Sequence, residues 1–311
     1  MPKIAIAQVS PVLLDREKTI EQTVNLVAEA AANGAELLVF PEAFIAGYPA
    51  WIWRLRPGGD WGASEQLHER LLDSAVDLES DQLQPLLDAA RQHNLSIVCG
   101  LNERDSTRSG ATLYNSVIVI SENGSLCNHH RKLMPTNPER MVWGFGDGAG
   151  LNVVDTPVGR VGALICWENY MPLTRYALYA QGVEVYIAPT YDSGEGWIGS
   201  MQHIAREGRC WVICAGVALR RSDIPRDFPQ RDTLYPREED WINPGDSLVV
   251  APGGEIVAGP MHEEQGLLYA EIDADRAIKA KRALDVAGHY ARPDIFTLSV
   301  DRRKQSPIKF G

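Results

Sequence analysis

The chain has 311 residues, 45% hydrophobic and 23% charged, enough apolar material to core one large α/β domain or two small ones. Its 41 acidic and 30 basic residues give a formal net charge of −11, and the one dense basic cluster, Arg302-Arg303-Lys304, reads as a solvated tail, so a nucleic-acid partner is not expected. No apolar run approaches the ~18 residues of a membrane span, and the N-terminus enters a strand without a signal-like prelude, so a cytoplasmic protein with no membrane partner is expected.

Lys3 to Val9 sets Ile4 and Ile6 between small residues and predicts a buried strand. Asp15 to Asn33 carries Ile20, Val24, Val27 and Ala31 at spacings of 4, 3 and 4, one face of a helix, with Gly34 where the helix should end. Glu36 to Phe40 reads as the next strand. Glu65 to Leu72 and Asp81 to His93 read as helices, Ser96 to Gly100 and Leu113 to Ile120 as strands. Glu122-Asn123-Gly124 signals a hairpin turn before the extended stretch Ser125 to Arg131.

The second half begins the same way. Val161 to Ile165 is a strand, Pro172 to Gln181 a helix, Gly182 its cap and Val183 to Ala188 a strand. Gly34 to Pro41 and Gly182 to Pro189 match in pattern, which reads as a duplicated strand–helix–strand unit; Glu42 and Cys166 would then leave neighbouring strands and converge at one edge. Ile198 to Arg209 reads as a helix. Trp211 to Ala215, Ser247 to Ala251, Glu255 to Ala258 and Gly266 to Ile272 read as strands joined by tight turns. Arg220 to Pro244, rich in proline and charge, is the longest irregular stretch and should form a surface loop or a lid. Elements interleave without a linker, so residues 1–311 are expected to form one domain.

Five cysteines, Cys99, Cys127, Cys166, Cys210 and Cys214, are expected to be free thiols in a cytosol. Cys210 and Cys214 flank an apolar Trp-Val-Ile segment, His129 and His130 should point to opposite faces of an extended segment, and no second pair completes a zinc site, so no metal is expected. Cys166 differs from the others. It ends the run Gly-Ala-Leu-Ile-Cys where an apolar strand breaks into a polar turn, the place where open α/β sheets collect reactive groups. Glu42 follows its strand through Pro41, and Lys132 closes the stretch Leu126 to Arg131. A thiol, an acid and an ammonium, each at a strand end, are the parts needed for covalent attack on a carbon–nitrogen bond. Singly, Cys166 could be a small buried hydrophobe, Glu42 a helix cap and Lys132 a solvated charge. Their joint placement favours chemistry.

Three motifs resemble the nitrilase superfamily, and specifically its true nitrilase branch: Phe40-Pro-Glu42-Ala-Phe44, His130-Arg-Lys132-Leu-Met-Pro-Thr136 and Cys166-Trp-Glu-Asn169. The stretch Thr136 to Gly148, with Glu139 inside it, and Trp167 directly after the cysteine resemble the nitrile-hydrolysing branch more than the amidase and carbamoylase branches. The resemblance extends to Gly288 through Asp294 and implies a single-domain α/β fold, a four-layer α-β-β-α sandwich with two mixed β-sheets. It also implies residue roles. Cys166 would be the nucleophile, Glu42 the general base and acid, Lys132 the stabiliser of developing charge and Glu139 a second carboxylate; Glu139 and Arg140 could otherwise form a surface ion pair. A free thiol, with a pKa of about 8.5, needs such a base or cation. The reaction implied converts an organic nitrile to its carboxylic acid and ammonia with two waters, through a thioimidate and an acyl-thioester, and calls for no cofactor.

A homodimer or higher homo-oligomer is implied too, while an end at Gly311, about where the family's variable tail begins, weighs against long filaments. A thiol amidase or carbamoylase, a cyanide-hydrolysing variant and a catalytically silent binding module are the alternatives. Tyr48, Trp143, Trp167, Thr190, Tyr191 and Trp197 are expected to line the substrate cleft, although core packing would account for the aromatic ones equally well. Such walls point to aromatic nitriles or arylacetonitriles and leave short aliphatic and dinitrile substrates open. Glu168 and Asn169 should shape the edge of the site, and His203 and His289 receive no chemical role. Gly144-Phe-Gly146-Asp-Gly148 matches a dinucleotide fingerprint without the required strand before it or helix after it, and no Gly-x-Ser-x-Gly elbow occurs.

Overall fold

Central strands that are apolar on both faces require cover on both sides. The computed structural model, which describes residues 1–238, 240–306 and 308, supplies it. In chain order the elements are β1 (Lys3–Gln8), α1 (Arg16–Ala32), β2 (Ala35–Val39), α2 (Trp61–Ser74), α3 (Gln84–His93), β3 (Ser96–Arg104), β4 (Leu113–Ile120), β5 (Leu126–Arg131), β6 (Val154–Thr156) and β7 (Gly159–Ala163). Then follow α4 (Pro172–Tyr179), β8 (Val185–Thr190), α5 (Glu195–Gly208), β9 (Trp211–Gly216), β10 (Ala218–Arg220), α6 (Arg231–Leu234), β11 (Trp241–Val250), β12 (Ile256–His262), β13 (Gly266–Glu271) and α7 (Ala274–Ala280).

One sheet has the order β13-β1-β2-β3-β4-β5 and the other β10-β11-β9-β8-β7-β6, with β12 beside β11. In each, three strands run parallel (β1-β2-β3 and β7-β8-β9) between antiparallel neighbours, so both sheets are mixed. Period-two alternation assigns the faces. Ile4, Leu37, Val98 and Val117 of the first sheet meet Val161, Ile187, Ile213 and Val249 of the second in one shared core. The alternate residues Leu38, Ile97 and Ile118 pack on Ile20 and Val27 of α1 and Leu86 of α3. On the far side Tyr186, Val212 and Leu248 pack on Leu178 of α4 and Met201 of α5. Each such aliphatic side chain contributes about 1.5–3 kcal/mol by leaving water. The protein is a single-domain, four-layer α-β-β-α sandwich.

Helix α1 shows how local chemistry sets an element's limits. The Asp15 carboxylate accepts from the Lys18 backbone N–H at 3.0 Å, and Gly34 takes the left-handed φ of +82° just past the Asn33 cap. The duplicated unit is present in the topology, because β1-α1-β2 and β7-α4-β8 each close a parallel pair. Glu42 and Cys166, however, do not leave neighbouring strands: β2 and β7 belong to different sheets, and the two residues converge across the sandwich.

Other expectations also shift. Helix α2 starts at Trp61, not Glu65, and β3 continues to Arg104. The stretch Arg220 to Pro244 is no free lid, since Ile224, Phe228, Leu234 and Tyr235 are buried in one cluster with Tyr48 and Trp51, and β11 already begins at Trp241. The apolar residues inside this polar stretch are too irregularly spaced to show a period, yet they bind it to the protein. Among the described residues, no helix is long and apolar enough to cross a membrane.

Candidate active site

Three strand ends carry the site, and each is held by its neighbours. The turn after β2 lies along β3: Phe40 N–H donates to the Val98 carbonyl at 2.8 Å and Ile45 N–H to the Gly100 carbonyl at 3.1 Å. A Cβ on Gly100 would stand 2.2 Å from the Pro41 oxygen and 2.6 Å from the Ala43 nitrogen, so this approach requires glycine. Lys132 leaves β5 with its backbone N–H on the Asn115 carbonyl of β4 at 2.8 Å. Cys166 opens a short 3-10 turn after β7 with a left-handed φ of +51°, a conformation that a non-glycine residue keeps only when its surroundings enforce it.

Glu168 and Asn169 do the enforcing. The buried Glu168 carboxylate accepts from the backbone N–H of Ile165 at 2.8 Å and of Leu133 at 2.7 Å, and it meets the His130 ring at 3.1 Å. Burial alone would raise its pKa; His130 and the two backbone donors outweigh that and hold it low. It thereby ties the Lys132 segment to the Cys166 turn. The Asn169 amide donates to the Cys166 and Leu164 carbonyls at 2.7 and 3.0 Å and accepts from the Tyr186 hydroxyl at 2.6 Å. These two residues therefore build the turn that presents the thiol, a larger part than edge-shaping.

Behind the thiol sits a closed charge centre. The fully buried Lys132 ammonium donates to Glu42 at 2.7 Å and to Glu139 at 2.8 Å. Glu42 also accepts from the Asn115 amide at 2.7 Å and from the Tyr191 N–H at 2.7 Å. Glu139 accepts from the Tyr48 hydroxyl at 2.7 Å and the Thr136 N–H at 2.7 Å, and is no partner of Arg140, which donates to the Pro135 carbonyl. Burial would discharge Lys132, but the carboxylates of Glu42 and Glu139 keep its pKa above the ordinary value. Burial raises the Glu42 pKa, Lys132 opposes, and Glu139 adds to the rise; the net direction is up. The Cys166 thiol is pushed up by burial and by Glu42, with Lys132 and a hydrogen bond to Thr190 pulling the other way. Its resting form is therefore the thiol. Lys132 does not by itself hold a thiolate.

Cys166 opens into a cavity of about 280 Å³ with Glu139, Tyr48, Trp53, Trp167 and Tyr191 on its walls. Tyr48 and Tyr191 stack with ring centroids 3.8 Å apart. A larger groove of about 530 Å³ between Trp51 and α2 holds none of the groups around Cys166. The expected lining set is thus divided. Tyr48, Trp167 and Tyr191 face the cavity; Thr190 is fully buried and touches the thiol. Trp143 and Trp197 are buried away from it, their indole N–H groups satisfied by Asn102 at 2.9 Å and the Cys214 sulfur at 3.1 Å. Trp143 acts through Tyr48, packing edge-on at 5.6 Å. His203 is exposed beside Glu207 at 3.3 Å, and His129 and His130 turn to separate partners, Glu103 and Glu168.

Asn115, Trp53 and Asp192 are absent from the expected set. Asn115 had a signal: an amide in the largely apolar strand Leu113–Ile120 demands a partner once it is buried. Trp53 had none, because its donation to the Tyr48 hydroxyl at 3.0 Å exists only in the folded chain.

Residues 3–282 match the carbon–nitrogen hydrolase family. The chain is 42% identical to an aliphatic nitrilase of Sinorhizobium fredii, over 98% of this chain and 97% of that one. It is 40% identical to a bifunctional nitrilase/nitrile hydratase of Nicotiana tabacum, over 99% of this chain and 88% of that one. Its fold is similar to that of a branch 10 member of the nitrilase superfamily from Saccharomyces cerevisiae, with a TM-score of 0.72 at 20% identity over 93% of this chain and 96% of the other. With the family matched over most of its length and these relatives aligned nearly end to end, the chain belongs to the carbon–nitrogen hydrolase family.

Proposed function

We propose that the protein is a nitrilase, converting an organic nitrile and two waters to a carboxylic acid and ammonia through a covalent bond to Cys166. The observation that carries this reading is one ammonium, Lys132, held 2.7 Å from Glu42 and 2.8 Å from Glu139 beside a thiol that opens into a cavity. The relatives named as nitrilases support the same substrate class.

The reaction starts with the proton on sulfur. Glu42, made more basic by burial, takes it as sulfur bonds to the nitrile carbon, and returns it to the nitrogen to give the thioimidate. Lys132 has three N–H donors, and the two carboxylates take two of them; the third is available to charge building on the substrate. A first water loses a proton to Glu42 and adds to the thioimidate carbon. Glu42 hands that proton to the nitrogen and then relays the proton of the new hydroxyl to it as well, so that the carbon–nitrogen bond breaks, ammonia leaves with both water protons, and an acyl-thioester remains. A second water, activated the same way, breaks the carbon–sulfur bond and restores the thiol. Every step uses protein groups and water, and none calls for a cofactor.

Glu139 holds the Lys132 ammonium together with Glu42 and is itself held by Tyr48. A cytoplasmic homo-oligomer acting on a small-molecule nitrile completes the reading; the oligomer is supported by the exposed apolar side chains of Tyr170, just before α4, and Leu173 in its first turn. The test supplies matched nitriles and amides to the enzyme and to Cys166→Ala, quantifying ammonia and acid. Nitrile consumption that vanishes with the thiol is expected. Turnover of amides alone assigns a thiol amidase, and retained turnover in the variant removes the covalent route.

A further inference from the structure

We propose that Asp192 is a charge filter at the cavity rim, admitting nitriles that are neutral or carry an ammonium and rejecting those that carry a carboxylate. This deepens the nitrilase reading and rests on it. Among the described residues that line the cavity none is Lys, Arg or His, whereas Glu139 and Asp192 both carry carboxylates. Behind them a single ammonium is shared by Glu42 and Glu139. Arg54 is not on the lining: it donates to the Leu234 carbonyl at 2.9 Å and lies 4.8 Å over the Tyr235 ring, so its charge reaches the cavity only from behind Tyr191.

The Asp192 carboxylate is a built feature. Its backbone N–H donates to the Thr190 hydroxyl, its Oδ1 accepts from the Ser193 N–H and its Oδ2 from the Trp167 indole, each at 2.8 Å. Trp167 is exposed, which places the pair at the rim. A carboxylate has about four acceptor positions, so two remain for a donor on the substrate. Trp53, Tyr191, Ile242 and Pro244 supply apolar wall for the carbon chain between rim and thiol. A substrate carboxylate entering here would lose hydration, meet no cation on the cavity lining and face Asp192 across a partly desolvated space, a combination worth on the order of tenfold or more in kcat/KM. The acid product carries the same charge, so the filter also favours its departure.

The experiment compares three straight-chain nitriles of equal length, ending in methyl, ammonium or carboxylate, on wild type and Asp192→Asn. Alkylation of Cys166 by iodoacetate and by iodoacetamide, followed by mass spectrometry, reads the same filter without turnover. Wild type is expected to use the carboxylate-ended nitrile at least about tenfold less well than the methyl-ended one. Asp192→Asn should narrow that gap several-fold, weaken use of the ammonium-ended nitrile, and raise the iodoacetate-to-iodoacetamide rate ratio at Cys166. Equal use of methyl- and carboxylate-ended nitriles by wild type, or ratios that Asp192→Asn leaves unmoved, would overturn the filter. If no nitrile is consumed, the nitrilase reading fails, and the alkylation ratio still decides on Asp192.

Discussion

Asn115 is the residue on which the proposed general base depends without being part of the chemistry. Its amide at 2.7 Å from Glu42 favours the charged carboxylate, against the burial that raises the pKa of that group. Removing the amide therefore raises the Glu42 pKa further, and a higher pH is needed to deprotonate the base. Asn115→Ala is expected to lower kcat by about ten- to a hundredfold, less than the roughly 10²–10⁴-fold that a positioned acid–base group itself contributes. The acid limb of kcat/KM should move to higher pH with KM little changed. A pH–rate profile followed by ammonia release checks it; an unmoved acid limb would reduce Asn115 to a packing role. Cys166, Glu42 and Lys132 were legible at this scale because each ends a strand in a recognisable motif. Trp143 and Trp197 were misplaced, because an indole's destination depends on which buried acceptor it meets, Asn102 in one case and Cys214 in the other.

At the scale of elements, the strands and helices of the core followed from apolar periodicity, and the misreadings lie where periodicity is short or interrupted. Strands β6 and β10 have three residues each and helix α6 four, too few for a pattern to register. The element that matters most for the site is the contact of β3 with the turn carrying Glu42. Because Gly100 leaves room for Pro41 and Ala43, Gly100→Ala should push that turn away. A loss on the order of 1–3 kcal/mol, as for an overpacked core, is expected. Turnover should fall further than stability alone explains, because Glu42 moves with the turn. Thermal melts and ammonia assays on the same sample separate the two effects; a normal kcat in a destabilised variant would mean the turn stays in place.

For the whole molecule, stability in acid is tied to Glu103, which joins β3 to β5. Its burial would raise its pKa, but His129 at 2.6 Å and the Arg131 guanidinium outweigh that and hold it at about 2, against 4.5 unperturbed. A carboxylate depressed in the folded state stabilises fully above its unfolded pKa and loses that contribution as pH falls through 4.5 towards 2. The amount is on the order of 3 kcal/mol. Glu103→Gln should thus be less stable than wild type at neutral pH and should approach it as the pH drops through that window. Urea titrations at several pH values check this, and parallel curves would dismiss the linkage. By itself the sequence determined the individual core strands and helices and the three strand ends where reactive groups gather, because alternation and motif order are local properties of the chain; the two-sheet sandwich followed only from the family resemblance of the motifs. Only the tertiary structure decided that β2 and β7 belong to separate sheets, and that Glu42 gathers Asn115, Lys132 and Tyr191 from 73, 90 and 149 residues away. Such long-range partners are chosen by how the layers pack, and no local pattern encodes them.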